Sequence, residues 1–261
     1  MEYLDKIWHG DCMELLRAMP DASVDLVLTD PPYGTTNCPW DRVATGPEWW
    51  AEIRRVARRG AAVLVFGQEP FSSRMRLASP IPFRYDWIWR KTAPCGFLNA
   101  NRMPLRAHEV VSVFYDALPS YNPQKTPPPD GSTRVRRYHE RGRAGVYAAV
   151  KNAKESVYTD RFPTDVITMK PEKHTYAAGR VHPTQKPLAL MEYFIRTYTD
   201  PGQVVLDPFM GSGTTAVAAL RLGRRFAGAE AEAGYHAAIL RRLDDEGRSL
   251  SSALFRPNDI V

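Results

Sequence analysis

Apolar residues along this chain fall into two patterns: short unbroken blocks, and longer stretches in which they return every three or four positions. The strand candidates are Lys6 to His9, Val24 to Leu28, Ala61 to Phe66, Val110 to Phe114, Val204 to Leu206 and Arg225 to Ala229, with Leu26 to Leu28, Ala61 to Phe66 and Val204 to Leu206 apolar without a break. A weaker alternation runs from Tyr85 to Trp89. Unbroken blocks of this length predict strands covered on both faces. Between them, Cys12, Leu15, Leu16 and Met19 share one helical face, as do Trp49, Ile53 and Val56. Further helices are predicted on Leu188, Met191, Phe194, Ile195 and Tyr198, from Thr214 to about Leu222, and on Tyr235, Ile239 and Leu243. Strands separated by helices predict an α/β fold with a doubly wound, mostly parallel sheet. Asp11 with Glu14, and Thr45 with Glu48, have the spacing of capping boxes at two helix starts. The mostly polar tail from Gly247 is expected to be loosely ordered.

The pattern breaks between residues 120 and 180. Pro127-Pro128-Pro129-Asp130-Gly131 is a loop, and five arginines follow between Arg134 and Arg143 without clear periodicity. This region is expected to be an insertion at the sheet edge. Composition adds little beyond direction. The chain's 261 residues suit one large domain carrying an insertion, and its net charge of +6 favours a polyanionic partner. Cys12, Cys38 and Cys95 show neither zinc-ligand spacing nor a disulfide framework, so no metal is expected and a reducing, cytoplasmic setting is. With no transmembrane run and no signal-peptide pattern, no membrane partner is expected.

The chemistry concentrates in Leu26-Val27-Leu28-Thr29-Asp30-Pro31-Pro32-Tyr33-Gly34. Proline cannot extend a ladder, so the strand must stop at Asp30, and the two prolines stiffen the loop beyond it. A carboxylate, a rigid run of carbonyls and a flat ring are thereby held at the carboxyl end of a strand, where open α/β sheets bind ligands. Such a set suits methylation of an exocyclic base amine, which is conjugated into its ring and poorly nucleophilic. Asp30 and the Pro31 carbonyl could each accept one amine hydrogen, while Tyr33 offers a stacking face. A strand followed by a proline-rich turn is the plainer reading of the same residues.

A second motif narrows the choice. Strand, Gly211-Ser212-Gly213, then helix is a nucleotide-binding turn, with glycines admitting a ligand to free N–H groups. Glu230 ends the next strand, where an acid can take both ribose hydroxyls. Neither a third glycine of the dinucleotide type nor a P-loop GK[ST] is present, which favours an adenosine-type ligand.

Together, Asp30-Pro31-Pro32-Tyr33 and Asp207-Pro208-Phe209-Met210-Gly211-Ser212-Gly213-Thr214-Thr215 resemble the amino-group DNA methyltransferases that use S-adenosylmethionine. Gly10-Asp11-Cys12 is similar to the family's element near the cofactor adenine, and Gly67-Gln68-Glu69-Pro70-Phe71 to the loop after its next catalytic strand. His182-Pro183-Thr184-Gln185-Lys186-Pro187 is similar to its HPTQKP segment at the cofactor's amino-acid end. The likeness covers roughly residues 4–119 and 180–243, in the permuted motif order of the group called β. It implies a seven-stranded sheet with one antiparallel strand, and neighbouring strands before Asp30 and Asp207. It also implies a catalytic half (1–119), a target-recognition insertion (120–180) and a cofactor-binding half of the same domain (181–261).

By the same resemblance, Asp30, Pro31, Pro32 and Tyr33 would be catalytic. Asp11, Cys12, Asp30, Thr184, Lys186, Asp207, Phe209, Gly211, Ser212, Gly213, Thr214 and Glu230 would bind S-adenosylmethionine, Lys186 through the cofactor's carboxylate. Arg134, Arg136, Arg137, Arg141 and Arg143 would contact DNA. The implied substrate is the N6 amine of adenine, flipped out of double-stranded DNA. Cytosine N4, whose enzymes more often begin the motif with serine, is the alternative because it offers a similar amine, and a non-catalytic DNA-binding protein keeping the fold is another. RNA and protein-glutamine methyltransferases usually begin the motif with asparagine. Carbon-5 chemistry would need a Pro-Cys-Gln setting, whereas Pro94-Cys95 is followed by Gly96. The resemblance leaves open a homodimer and a cognate restriction endonuclease as partners.

Overall fold

The computed structural model describes residues 3–34, 43–128, 134–136, 156–172 and 184–254 of the chain. Its first half runs β1 (Lys6–His9), α1 (Cys12–Ala18), β2 (Val24–Thr29), α2 (Pro47–Val56), β3 (Ala57–Gly67), α3 (Phe71–Ala78), β4 (Phe83–Cys95) and β5 (Arg106–Phe114). The short strands β6 (Arg134–Arg136), β7 (Ser156–Tyr158) and β8 (Val166–Met169) come next. The chain continues as α4 (Leu188–Tyr198), β9 (Val204–Asp207), α5 (Thr214–Arg221), β10 (Arg225–Glu230) and α6 (Ala233–Leu254).

Two compact units result. One comprises residues 1–122 and 165–261, the other residues 123–164. In the second, β6 pairs antiparallel with β7, Thr126 bridges Arg161, and the Lys125 ammonium lies 4.6 Å from the centroid of the Phe162 ring. The first unit contains one eight-stranded sheet in the order β1-β10-β9-β2-β3-β5-β4-β8. Strands β1, β10, β9, β2 and β3 are mutually parallel, and β5 runs against both of its neighbours. The sheet therefore carries the seven strands and single antiparallel member that the resemblance implies. The eighth, β8, adds in parallel to β4 from Ile88↔Val166 to Lys91↔Met169.

All six residues of β2 are buried, which accounts for the unbroken apolar run from Leu26 to Leu28: helices cover both faces. Leu26 and Leu28 join the core under α4, α5 and α6, through Phe194, Ala218 and Ile239 among others. Val24 and Val27 join the opposite core under α1, α2 and α3, which includes Leu16, Trp50 and Met75. At the centre, Leu26↔Val205 and Val27↔Leu206 join the two halves of the chain. Asp30 and Asp207 thus emerge from adjacent parallel strands, at the point where connections diverge to either side.

Local signals hold in part. Asp11 caps α1, its Oδ1 accepting from the Met13 amide at 2.7 Å. Glu14 does not reciprocate; its Oε2 accepts from the Trp8 indole at 3.2 Å instead. Thr45 does not cap α2. The cap is Gly46, followed by Pro47, whose fixed φ suits the first helical position. From Gly247 the chain continues α6 to Leu254 rather than loosening, and the rest of the tail expected to be loosely ordered lies outside the described residues.

Candidate active site

The turns after β1, β2, β9 and β10 open into one cavity of roughly 1240 Å3. Asp30, Pro31, Pro32 and Tyr33 line it from β2, and Asp11 and Cys12 from the turn into α1. Asp207, Phe209, Gly211, Ser212 and Thr214 line it after β9, with Glu230 beyond β10 and Thr184 and Lys186 before α4. Of the cofactor residues named from the sequence, Gly213 alone stands off the lining. Its φ is +76°, and a Cβ there would come within 2.7 Å of Ile239 on α6. Gly213 therefore serves the turn and the packing behind it. Arg134 and Arg136 lie in the second unit, and Arg137, Arg141 and Arg143 lie outside the described residues.

The cofactor end is built from backbone and acids. Asp207 is fully buried, its Oδ1 accepting from Thr29 Oγ1 at 2.7 Å and from the Phe209 amide at 3.1 Å. Its Oδ2 accepts from Thr215 Oγ1 at 2.6 Å. Burial nevertheless pushes the Asp207 carboxyl up to about 7. Each of these donors ties one strand or turn to another, so Asp207 shapes the loop. Glu230 accepts from the Gly211 amide at 2.8 Å and from the Glu232 amide at 2.9 Å, and burial raises its carboxyl. Each oxygen keeps capacity for a further donor. No side chain caps α5, which follows Gly213 directly, and Gly211 has φ +54°. The Ser212 carbonyl accepts from Arg242 on α6, a brace that no local sequence signal marks. Beside Asp11, the Cys12 thiol is pushed up to about 12 by burial, so it stays neutral and inert.

The other end is a row of buried charges. Tyr33 donates its hydroxyl to Asp30 Oδ1, and Lys186 Nζ donates to Asp30 Oδ2 at 2.6 Å. The same ammonium lies 3.2 Å from Glu109 Oε2 on β5 and 5.1 Å from the centroid of the Phe66 ring. Lys91 on β4 donates to Glu109 Oε1. Signs alternate along the row: Asp30 negative, Lys186 positive, Glu109 negative, Lys91 positive. Burial raises the Asp30 carboxyl and the nearby Glu109 charge adds to this, against the lowering by Lys186. Burial alone would also raise Glu109, but Lys186 and Lys91 overcome it and hold that carboxyl below the ordinary range. Neither Glu109 nor Lys91 belongs to a recognisable motif. The register that sets Trp89 opposite Glu109 brings them together, so only the fold reveals them.

The cavity fits S-adenosylmethionine on three observations. Left-handed glycines leave backbone N–H groups at the start of α5 uncapped, an acid stands at the end of β10, and the volume exceeds that usual for one small ligand.

Residues 24–241 match a family model described as DNA methylase, of the N6/N4 type. The chain is 30% identical to the Type II methyltransferase M.BglII of Bacillus subtilis over 256 residues, covering 90% of this chain and 67% of that protein. It superposes on a crystal structure of M1.HpyAVI with S-adenosylmethionine at a TM-score of 0.60 and 26% identity, covering 92% of this chain and 98% of the other. A likeness of fold extends to the cytosine-N4-specific PvuII DNA methyltransferase, at a TM-score of 0.63 and 20% identity, covering 98% and 88%.

Proposed function

The chain belongs to the N6/N4 DNA methylases, and on that premise we propose that it methylates the N6 amine of adenine at specific sites in duplex DNA. At the coarser level it is a DNA methyltransferase using S-adenosylmethionine. The observation that supports methylation of a base amine is one cavity lined both by Asp30 to Tyr33 and by Gly211, Ser212, Thr214 and Glu230. A stacked base could not present its amine there, so the target must be flipped out.

S-adenosylmethionine supplies a methyl group already activated on a sulfonium. The residues of this chain need then only hold, orient and exclude water. Asp30 and the Pro31 carbonyl accept the two amine hydrogens, drawing electron density onto the nitrogen, and Tyr33 stacks on the base. Glu230 takes the ribose hydroxyls, and the N–H groups at the start of α5 take the cofactor's amino-acid end. We assign the Lys186 ammonium to Asp30 rather than to the cofactor carboxylate, because two protein carboxylates already share it. Adenine is favoured over cytosine by the aspartate at position 30.

The test is transfer of labelled methyl from S-adenosylmethionine to duplex DNA by wild type and Asp30→Ala. Asp30→Ala should lose at least about 100-fold in turnover, as when one preorganised transition-state contact is removed, while calorimetry shows cofactor affinity little changed. A variant retaining most of its turnover would remove Asp30 from the chemistry.

A further inference from the structure

Asp30 has an ammonium on one oxygen and a phenol on the other. Each oxygen can accept a second bond, so capacity is not the obstacle. Charge is. As the methyl moves, positive charge builds on the base nitrogen, and an ammonium held 2.6 Å from the accepting carboxylate opposes it. An ammonium this deeply buried cannot simply be released to water. It needs a second buried acceptor.

The structure supplies one. Glu109 Oε2 is buried and, among the described residues, makes no well-directed hydrogen bond, although it stands 3.2 Å from Lys186 Nζ. The approach is close but poorly directed. A small swing of the lysine side chain would turn it into a hydrogen bond and lengthen the one to Asp30. Lys91 holds the other Glu109 oxygen, so the acceptor stays in place while Lys186 moves. Side chains of all three of these residues are at most 9% exposed.

Resting on the proposed amine chemistry, we propose that Glu109 is a positioning residue: it draws the Lys186 ammonium off Asp30 as the amine enters, with Lys91 setting the strength of the pull. Lys186 keeps its proton throughout, so its move from Asp30 to Glu109 breaks no bond to hydrogen; the one N–H proton lost as the N–C bond forms and the S–C bond breaks leaves from the amine itself. Glu109 touches neither base nor cofactor in this scheme.

Two substitutions on the row should act in opposite directions. The groups facing Asp30 are Tyr33 from its own loop, Lys186 from the segment before α4, Glu109 from β5 and Asp207 from β9, with Lys91 on β4 acting on Glu109. Glu109→Gln removes a like charge and leaves Lys186 on Asp30. The acidic limb of the pH–turnover profile should then move to lower pH. Lys91→Met leaves Glu109 with Lys186 alone and pulls that ammonium away, so the limb should move to higher pH.

The measurement is labelled methyl transfer to unmodified genomic DNA across pH, with turnover and the cofactor KM fitted separately. Glu109→Gln should lose about tenfold or more in turnover, short of the 10²–10³ for removing a group that touches the reacting atoms, with KM little changed. Glu109→Asp, keeping the charge, should recover part of it. A merely structural role predicts a raised KM, a lower Tm and an unmoved limb in both variants, and would overturn the proposal. So would limbs moving the same way, or Glu109→Gln turning over like wild type. Absence of transfer by wild type would overturn the methyltransferase reading itself, and this proposal with it.

Discussion

Asp207 shows how much one buried side chain can carry. Three donors favour its ionised form, yet burial dominates and raises its carboxyl from 3.8 to about 7. The folded protein therefore binds a proton that the unfolded chain has released. The resulting stability is fully present below pH 4 and is lost as pH rises towards and through 7. Asp207→Asn keeps the acceptor for Thr29 and the Phe209 amide while removing the charge. Relative to this variant, wild type should lose stability between pH 4 and 7, by at most about 4 kcal/mol, in parallel urea titrations. A stability difference that is flat with pH would refute the raised carboxyl. The candidate site was legible at this scale wherever backbone geometry forces the residue type. Asp30 before two prolines and glycines at a strand–helix turn are such cases. Glu109 and Lys91 were illegible because a charge inside an apolar strand acquires meaning only from its partner across the sheet.

At the scale of elements, the continuous apolar blocks marked the central strands because helices cover both faces. β8 carried no such signal. Val166 is 45% exposed, and the strand's four residues alternate at the edge of the sheet. Likewise α3 has Phe71 and Met75 as its buried apolar anchors, too short a run to read. The turn between β9 and α5 yields the sharpest test. Gly213→Ala would hold a left-handed φ and press a Cβ against Ile239, which is fully buried. The variant should lose about 1–3 kcal/mol, read as a Tm lower by roughly 2–4 °C per kcal/mol. The atoms nearest the new methyl are Cγ2 and Cγ1 of Ile239, so pairing it with Ile239→Ala, which removes both, should cost less than the sum of the two single variants. An unchanged Tm would mean that the turn and α6 pack differently.

For the whole molecule, the permuted order of motifs has a simple physical basis. Because β2 and β9 are hydrogen-bonded neighbours, Asp30 and Asp207 meet whichever half of the chain comes first. Residues between the halves are then free to specialise, and we propose that residues 120–180 read DNA through Arg134, Arg136, Arg137, Arg141 and Arg143. Replacing all five with alanine should weaken duplex binding and flatten its salt dependence, by about 0.9 in log–log slope for each phosphate no longer neutralised. Cofactor affinity should be unaffected. An unchanged slope would reduce the segment to an ordinary surface insertion.

The central claim is the identity of the methylated atom. DNA treated with the protein and labelled S-adenosylmethionine, digested to nucleosides and resolved by chromatography, reports it directly. Label is expected in N6-methyldeoxyadenosine; label in N4-methyldeoxycytidine would contradict the assignment of adenine to the cavity beside Asp30.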